Sequence, residues 1–210
     1  MRQNRFSLVA LTLFFVAAAL AAGPLGAQTV PNHLHQTIPT GRPDQALFDE
    51  AVLLFSNAAR RHHGRAPLVG DPALAQAASD HAKNMARLKT HSHELPVRGQ
   101  RDLSQRIKRR SVSFRLAAEN IAMDKVYMLL GRPISAKFNG CNFRYGDTRE
   151  PVPAHTYASL AQQVVSRWLA SPGHKKNLLN RKYERIGSGI GVDPNGQACG
   201  DFYLVQNFAD

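Results

Sequence analysis

The stretch Ile186-Gly187-Ser188-Gly189-Ile190-Gly191-Val192 alternates a branched apolar residue with a small one. That period of two reads as a strand. Glycine has no side chain to pack and weakens a free strand, so these positions predict a second layer whose backbone comes very close. Asp193-Pro194-Asn195-Gly196 supplies a turn, and Phe202-Tyr203-Leu204-Val205-Gln206-Asn207-Phe208 reads as the return strand of an antiparallel hairpin. The glycines also invite a dinucleotide-binding reading, but such a loop must follow a strand and open a helix. Here they lie inside the strand and lead into Asp193-Pro194, which excludes it.

Helices precede the hairpin. One is expected from Asp44, with Leu47, Ala51, Leu54, Phe55 and Ala58 on one face, ending in Arg60-Arg61-His62-His63-Gly64. Asp71-Pro72 opens a second, with Asp as N-cap and Pro at the first helical position. Its buried stripe, Leu74, Ala77, Ala78, His81, Ala82 and Met85, is rich in alanine, so a neighbour should pack tightly on it. On that face His81 reads as a satisfied core histidine. Asp102–Ile107 looks like a short helix, and Lys108, Arg109 and Arg110 after it read as a solvated face. Residues 124–157 carry Gly131, Pro133, Gly140, Gly146, Pro151 and Pro153 and read as an irregular inserted loop. A further helix from about Thr156 to Ala170 carries Trp168 and runs into a Ser171-Pro172-Gly173 break that sets His174 on a corner.

Ahead of all this, Met1–Arg5 is basic and Phe6–Ala22 is apolar, the pattern of a secretory signal peptide over residues 1–27. Residues 28–44, with Pro31, Pro39, Gly41 and Pro43, read as a linker, leaving 45–210 as one domain. Export to the periplasm or the extracellular space follows from this reading. Removing the leader takes Arg2 and Arg5 and no acid, leaving 25 basic residues against 15 acids, a net charge of +10. Such a surface attracts anionic envelope polymers and lipid headgroups, with Arg98–Arg115 as the densest basic region, while an exported destination argues against a nucleic-acid role. In an oxidising compartment the two cysteines, Cys141 and Cys199, point to one disulfide. Closing that loop would contribute about 4 kcal/mol in the chain-entropy model.

The residues that carry chemistry are His91-Ser92-His93, Glu119 within Ala117-Ala118-Glu119-Asn120-Ile121-Ala122, and His174. A carboxylate in an apolar run needs a partner or a metal, or it protonates. In an extended segment His91 and His93 point to one side. Imidazoles and a carboxylate suit Zn²⁺ or a similar divalent ion, although the spacing is no recognised zinc signature. A hydrogen-bonded polar cluster without metal is the competing reading, and the residue types leave both open.

These residues also carry a resemblance. Ala118-Glu119-Asn120-Ile121-Ala122 resembles the G-E-N-[IL]-A element of the CAP superfamily (cysteine-rich secretory, antigen 5, pathogenesis-related 1; SCP domains). Trp168-x-x-Ser171-Pro172-Gly173-His174-x-x-Asn177-Leu178-Leu179 is similar to the W-x-x-S-P-G-H-R-x-N-I-L element of its bacterial members. Ile186-Gly187-Ser188-Gly189 and Tyr203–Phe208 resemble the closing strands, and Met85 with His91-Ser92-His93 the M-A…F-S-H segment. The resemblance covers roughly residues 45–210 in the family's order. It implies an α+β fold, a three-layer α-β-α sandwich around a central antiparallel sheet. It further implies a cavity lined by histidines and acids, which binds divalent metal in some members.

On that resemblance the cavity residues are His93, Glu119, Asn120, Ser171 and His174, and the candidate metal ligands are His93, Glu119 and His174, with His91 as a possible substitute. Ser171 stands where eukaryotic members carry an acid, and Ala118 replaces the family's glycine. The function implied is non-enzymatic binding of a small ligand, lipid or envelope component. Two alternatives stand beside it: a metal-dependent hydrolase with Glu119 as general base, and adhesion to anionic surfaces through Arg98–Arg115.

Overall fold

A computed structural model describes residues 29–129, 131–137 and 141–210. The expected leader lies outside them. Among the described residues no helix is long and apolar enough to cross a membrane.

Asp44 and Asp71 cap helices α1 (Gln45–His62) and α2 (Pro72–Leu88), each carboxylate accepting from two first-turn amides. Those amides have no partner within the helix, so the caps fix where the helices start. All six expected stripe residues of α2 are buried, and it lies lengthwise on strand β5 (Arg185–Asp193). The fit rests on glycine: a Cβ at Gly187, Gly189 or Gly191 would strike the backbone of Ala75, Ser79 or Ala82. Alanine on the helix and glycine on the strand thus meet, and the two backbones close to a distance larger side chains would forbid. Strand β6 (Asp201–Ala209) returns antiparallel to β5, and β2 (Ala117–Lys125) pairs with the far side of β6. The two-residue β1 (Val69–Gly70) adds to the other side of β5 in parallel. The sheet order is β1-β5-β6-β2, and because of β1 the sheet is mixed rather than wholly antiparallel.

Helices cover both faces. α2 and the short α3 (Leu103–Arg109) lie on one; α1, α4 (Tyr157–Ala170) and α5 (Pro172–Leu178) lie on the other, completing the three-layer α-β-α arrangement. The larger core lies on the α1–α4 side, where Phe48, Val52, Leu160, Val164, Trp168, Ile190, Leu204 and Phe208 are buried together. In α1 the fully buried face is Phe48, Ala51, Val52, Ser56 and Arg60. The expected Leu47, Leu54, Phe55 and Ala58 are only half-buried beside it, and Arg60 turns inward to the carbonyls of Leu178 and Asn180.

Three further expectations are corrected. Residues 28–44 are no free linker over their described part: Leu34 and Ile38 anchor in the core, and Ile38 N donates to His155 O. The insertion at 124–157 contains a hairpin, β3 (Ile134–Lys137) with β4 (Asn142–Tyr145). The Cys141–Cys199 disulfide ties it to the β5–β6 turn. At Ser171-Pro172-Gly173 the helix breaks only at Ser171, which has extended backbone angles. Pro172 then starts α5, since the first helical position needs no N–H donor, and His174 sits inside that helix.

Candidate functional site

β2 is an edge strand, and its residues alternate between the two layers. Glu119 faces α2 and α3, while Asn120 faces the α1–α4–α5 side. The register sets their cross-strand neighbours: Glu119 lies opposite Asn207, and Asn120 opposite Gln206. The outward carbonyls of β2 are capped in series. Asn177 Nδ2 reaches Glu119 O (3.3 Å), Trp168 Nε1 reaches Ile121 O (3.3 Å), and Arg167 Nη1 reaches Met123 O (2.9 Å). An open strand edge is a template for pairing with another chain, and these side chains close it.

The Glu119 carboxylate is 3 % exposed and makes close contacts through both oxygens. Oε2 accepts from Arg106 Nη2 at 2.8 Å, and Oε1 lies 2.8 Å from His93 Nδ1 and 3.7 Å from His81 Nε2. With its amide oriented so that each end meets a complementary group, Asn207 donates Nδ2 to Oε2 (3.3 Å) and accepts from Ala78 N (3.2 Å). Arg106 is itself 1 % exposed and turns its remaining Nη1 hydrogens to the carbonyls of Gln100 and Arg101. Burial pushes the His81 imidazole down to about 4, so it is neutral at physiological pH. Its ring faces the Glu119 carboxylate and the Ser92 backbone, so this core histidine also belongs to the polar cluster.

On the other face a neutral relay crosses the sheet. Asn177 Nδ2 donates to Asn120 Oδ1 (2.9 Å), Asn120 Nδ2 to Gln206 Oε1 (3.1 Å), and Gln206 Nε2 to Ser56 Oγ (2.8 Å). Asn120 Nδ2 also reaches the carbonyl of His174 at 3.3 Å, which anchors α5 against the strand edge.

Outside the carboxylate, His91, His93 and His174 gather near Arg167. His91 and His174 are held below the ordinary histidine range, first by burial and then by the positive charge of their neighbours. The expected residues therefore separate. His93 touches Glu119; His91 and His174 stand on the rim; Asn120 faces the opposite layer; and Ser171 joins α4 to α5 without making a capping bond. Sequence reasoning missed Arg106 and treated His81 as mere core. The available signal was position, since Arg106 lies three residues after Leu103 and one before Ile107, on the face that packs inward.

Among the described residues no three His, Cys, Asp or Glu side chains are placed to hold a metal ion. The contacts supply the reason. One carboxylate oxygen faces a buried guanidinium, a cation already where a metal's charge would be needed, and the other faces His93 and His81. In this arrangement the residues do not fit a metal.

The comparisons with known proteins agree with this fold. The model of the cysteine-rich secretory protein family (CAP) matches residues 55–111 and 108–208. An uncharacterized membrane protein of Bacillus subtilis strain 168, YlbC, is 29 % identical over 164 residues, covering 78 % of this chain and 35 % of its own length. A second protein of that organism, YkwD, is 24 % identical over 142 residues, covering 68 % and 42 %. The chain thus spans well under half the length of these relatives. Among solved structures, an extracellular SCP-domain protein of Bacillus anthracis str. Ames superposes with a TM-score of 0.50 at 26 % identity, over 77 % of this chain and 40 % of that one. An outer surface protein of Borrelia burgdorferi gives 0.53 at 20 % identity, over 80 % and 95 %, a likeness of fold alone.

Proposed function

Since this chain belongs to the cysteine-rich secretory protein (CAP) family, we propose that it is an exported, non-enzymatic binding domain whose histidine rim receives a small ligand, lipid or envelope component by an anionic or hydrogen-bond-accepting group. The observation that carries this reading is the occupation of Glu119. With Arg106 on one oxygen and His93 on the other, the rim offers the imidazoles of His91, His93 and His174 beside Arg167, whose Nη1 already serves Asp124 and Met123 O, and among the described residues no free carboxylate joins them. A neutral imidazole offers one N–H donor and one acceptor, and the guanidinium nearby adds further donors, so the set favours a ligand that presents a hydrogen-bond-accepting group. A hydrolase with Glu119 as general base finds less support, because the base would first have to leave a buried arginine. Export is supported by the apolar leader and by the likeness to the extracellular SCP-domain protein of Bacillus anthracis.

The test is to follow the ring resonances of the histidines while titrating with inorganic phosphate and with octanoate. Saturable shifts at His91, His93 and His174, abolished by His174→Ala, are expected. Native mass spectrometry of protein from its own host would identify what co-purifies. No shift with either probe and no co-purifying molecule would sink the reading.

A further inference from the structure

The cations of this chain are not used evenly. In the basic stretch Arg98–Arg115, four arginines are tied to carboxylates: Arg101 to Glu94, Arg106 to Glu119, Arg110 to Asp80 and Arg115 to Asp210. Charge that looks concentrated in the sequence is largely cancelled there.

At one end of the molecule the balance differs. The end of α1 and the segment leading to β1 pack against α5 and the turn after it. Arg65 Nε donates to Leu179 O at 3.1 Å, Arg60 Nη1 to Leu178 O at 2.8 Å, and Val69 N to Glu184 O at 2.8 Å. The two stretches, 57–70 and 171–185, together hold eight lysines and arginines and a single acid, Glu184; of the eight, Arg185 pairs with Asp71 just beyond them and Arg60 is buried against backbone carbonyls. Lys175, Lys176, Arg181 and Lys182 are exposed, and none meets a carboxylate among the described residues. Ala66 and Pro67 are exposed too, and Val69 is 69 % exposed, the most open of the large apolar side chains described. The bond from Val69 N to Glu184 O sets that valine beside the Arg181–Lys182 turn.

We propose that this end, formed by the α1–β1 segment and α5, is a docking face for an anionic lipid surface. Uncompensated cations draw it to acidic headgroups, while the apolar Ala66-Pro67-Val69 edge enters the interface among them. A soluble polyanion would satisfy the lysines but offer nothing to Val69. The proposal does not depend on the histidine rim.

The test is co-sedimentation of the protein with phosphatidylcholine vesicles, with and without phosphatidylglycerol, at low and high salt. Binding should require phosphatidylglycerol and fall steeply with salt. Each of Lys175→Gln, Lys176→Gln, Arg181→Gln and Lys182→Gln should weaken it by about 5-fold, and Val69→Ser by a similar factor. Lys108→Gln with Arg109→Gln, both in the last turn of α3, should leave it unchanged. All are surface side chains, so an unchanged melting temperature separates docking from unfolding. Binding to phosphatidylcholine alone, equal loss in the α3 variant, or indifference to Val69→Ser together with full competition by polyphosphate would overturn the proposal.

Discussion

Glu119 and Asn120 are consecutive on one edge strand and face opposite layers of the molecule. Asn120 is served by partners that resemble it: an amide on the next strand, an amide on α5, and beyond them a hydroxyl on α1. Amides carry both donor and acceptor, so the relay closes on itself without any net charge. Glu119 has no such freedom. Its charge must be met by an opposite one, and that comes from Arg106 on α3, with His93 from a loop and His81 from α2 gathered around it. The neutral face is a matter of register within the sheet, and the charged face requires three separate segments to arrive together. The charged side should therefore be the more fragile and the more sensitive to pH.

The sharpest way to break that contrast is Arg106→Met. It leaves a buried carboxylate without its cation and should cost about 3–5 kcal/mol, read from urea unfolding. The double variant Arg106→Met/Glu119→Leu should recover most of the loss, because replacing both partners removes the unpaired charge. A single-variant loss no larger than a surface mutation's would mean the guanidinium is not the essential partner.

A second test uses pH. His81 titrates near 4 in the folded chain against an ordinary value of 6.5. Above 6.5 it is neutral in both states and contributes nothing. As pH falls from 6.5 towards 4, the unfolded chain takes up a proton the native site refuses. Stability should therefore drop by up to about 3 kcal/mol, the full loss being reached below pH 4. In His81→Phe that part of the acid slope should vanish. If the variant and the parent lose stability in parallel from pH 7 to 4, the imidazole is not the group responsible.

The smallest expected effect is on the neutral face. Asn120→Leu leaves the amides of Asn177 and Gln206 each short of a partner and should cost about 2 kcal/mol, with no change in the pH profile. A loss as large as that of Arg106→Met would erase the distinction between the two faces.

Much of this molecule is legible before folding is considered. Asp44, Asp71 and Asp102 announce helix starts by local chemistry, and all three act as N-caps. The alternating glycines of β5 foretell a close neighbour, and the alanine stripe of α2 foretells another; each is one half of a single contact. His93, Glu119 and His174 can be picked out as candidates because a carboxylate in an apolar run demands an explanation. The rim's third histidine, His91, is equally visible, since alternation puts it on the side of His93.

Position within a pattern does not specify partners. Arg106 lies in a short helix just ahead of basic residues that read as solvated, and only the packing of α3 on the sheet sets it against Glu119. His81 reads as one more member of a buried stripe until β2 brings a carboxylate within 3.7 Å. Leu34 and Ile38 lie in a proline-rich segment with no periodicity to mark them, yet both are core. The sequence by itself determined the elements, their caps and the faces they bury, because those depend on neighbours within a turn or a pleat. Tertiary structure decided which charge meets which, and which lysines are left unpaired, because such contacts join residues far apart along the chain and exist only once the layers have closed.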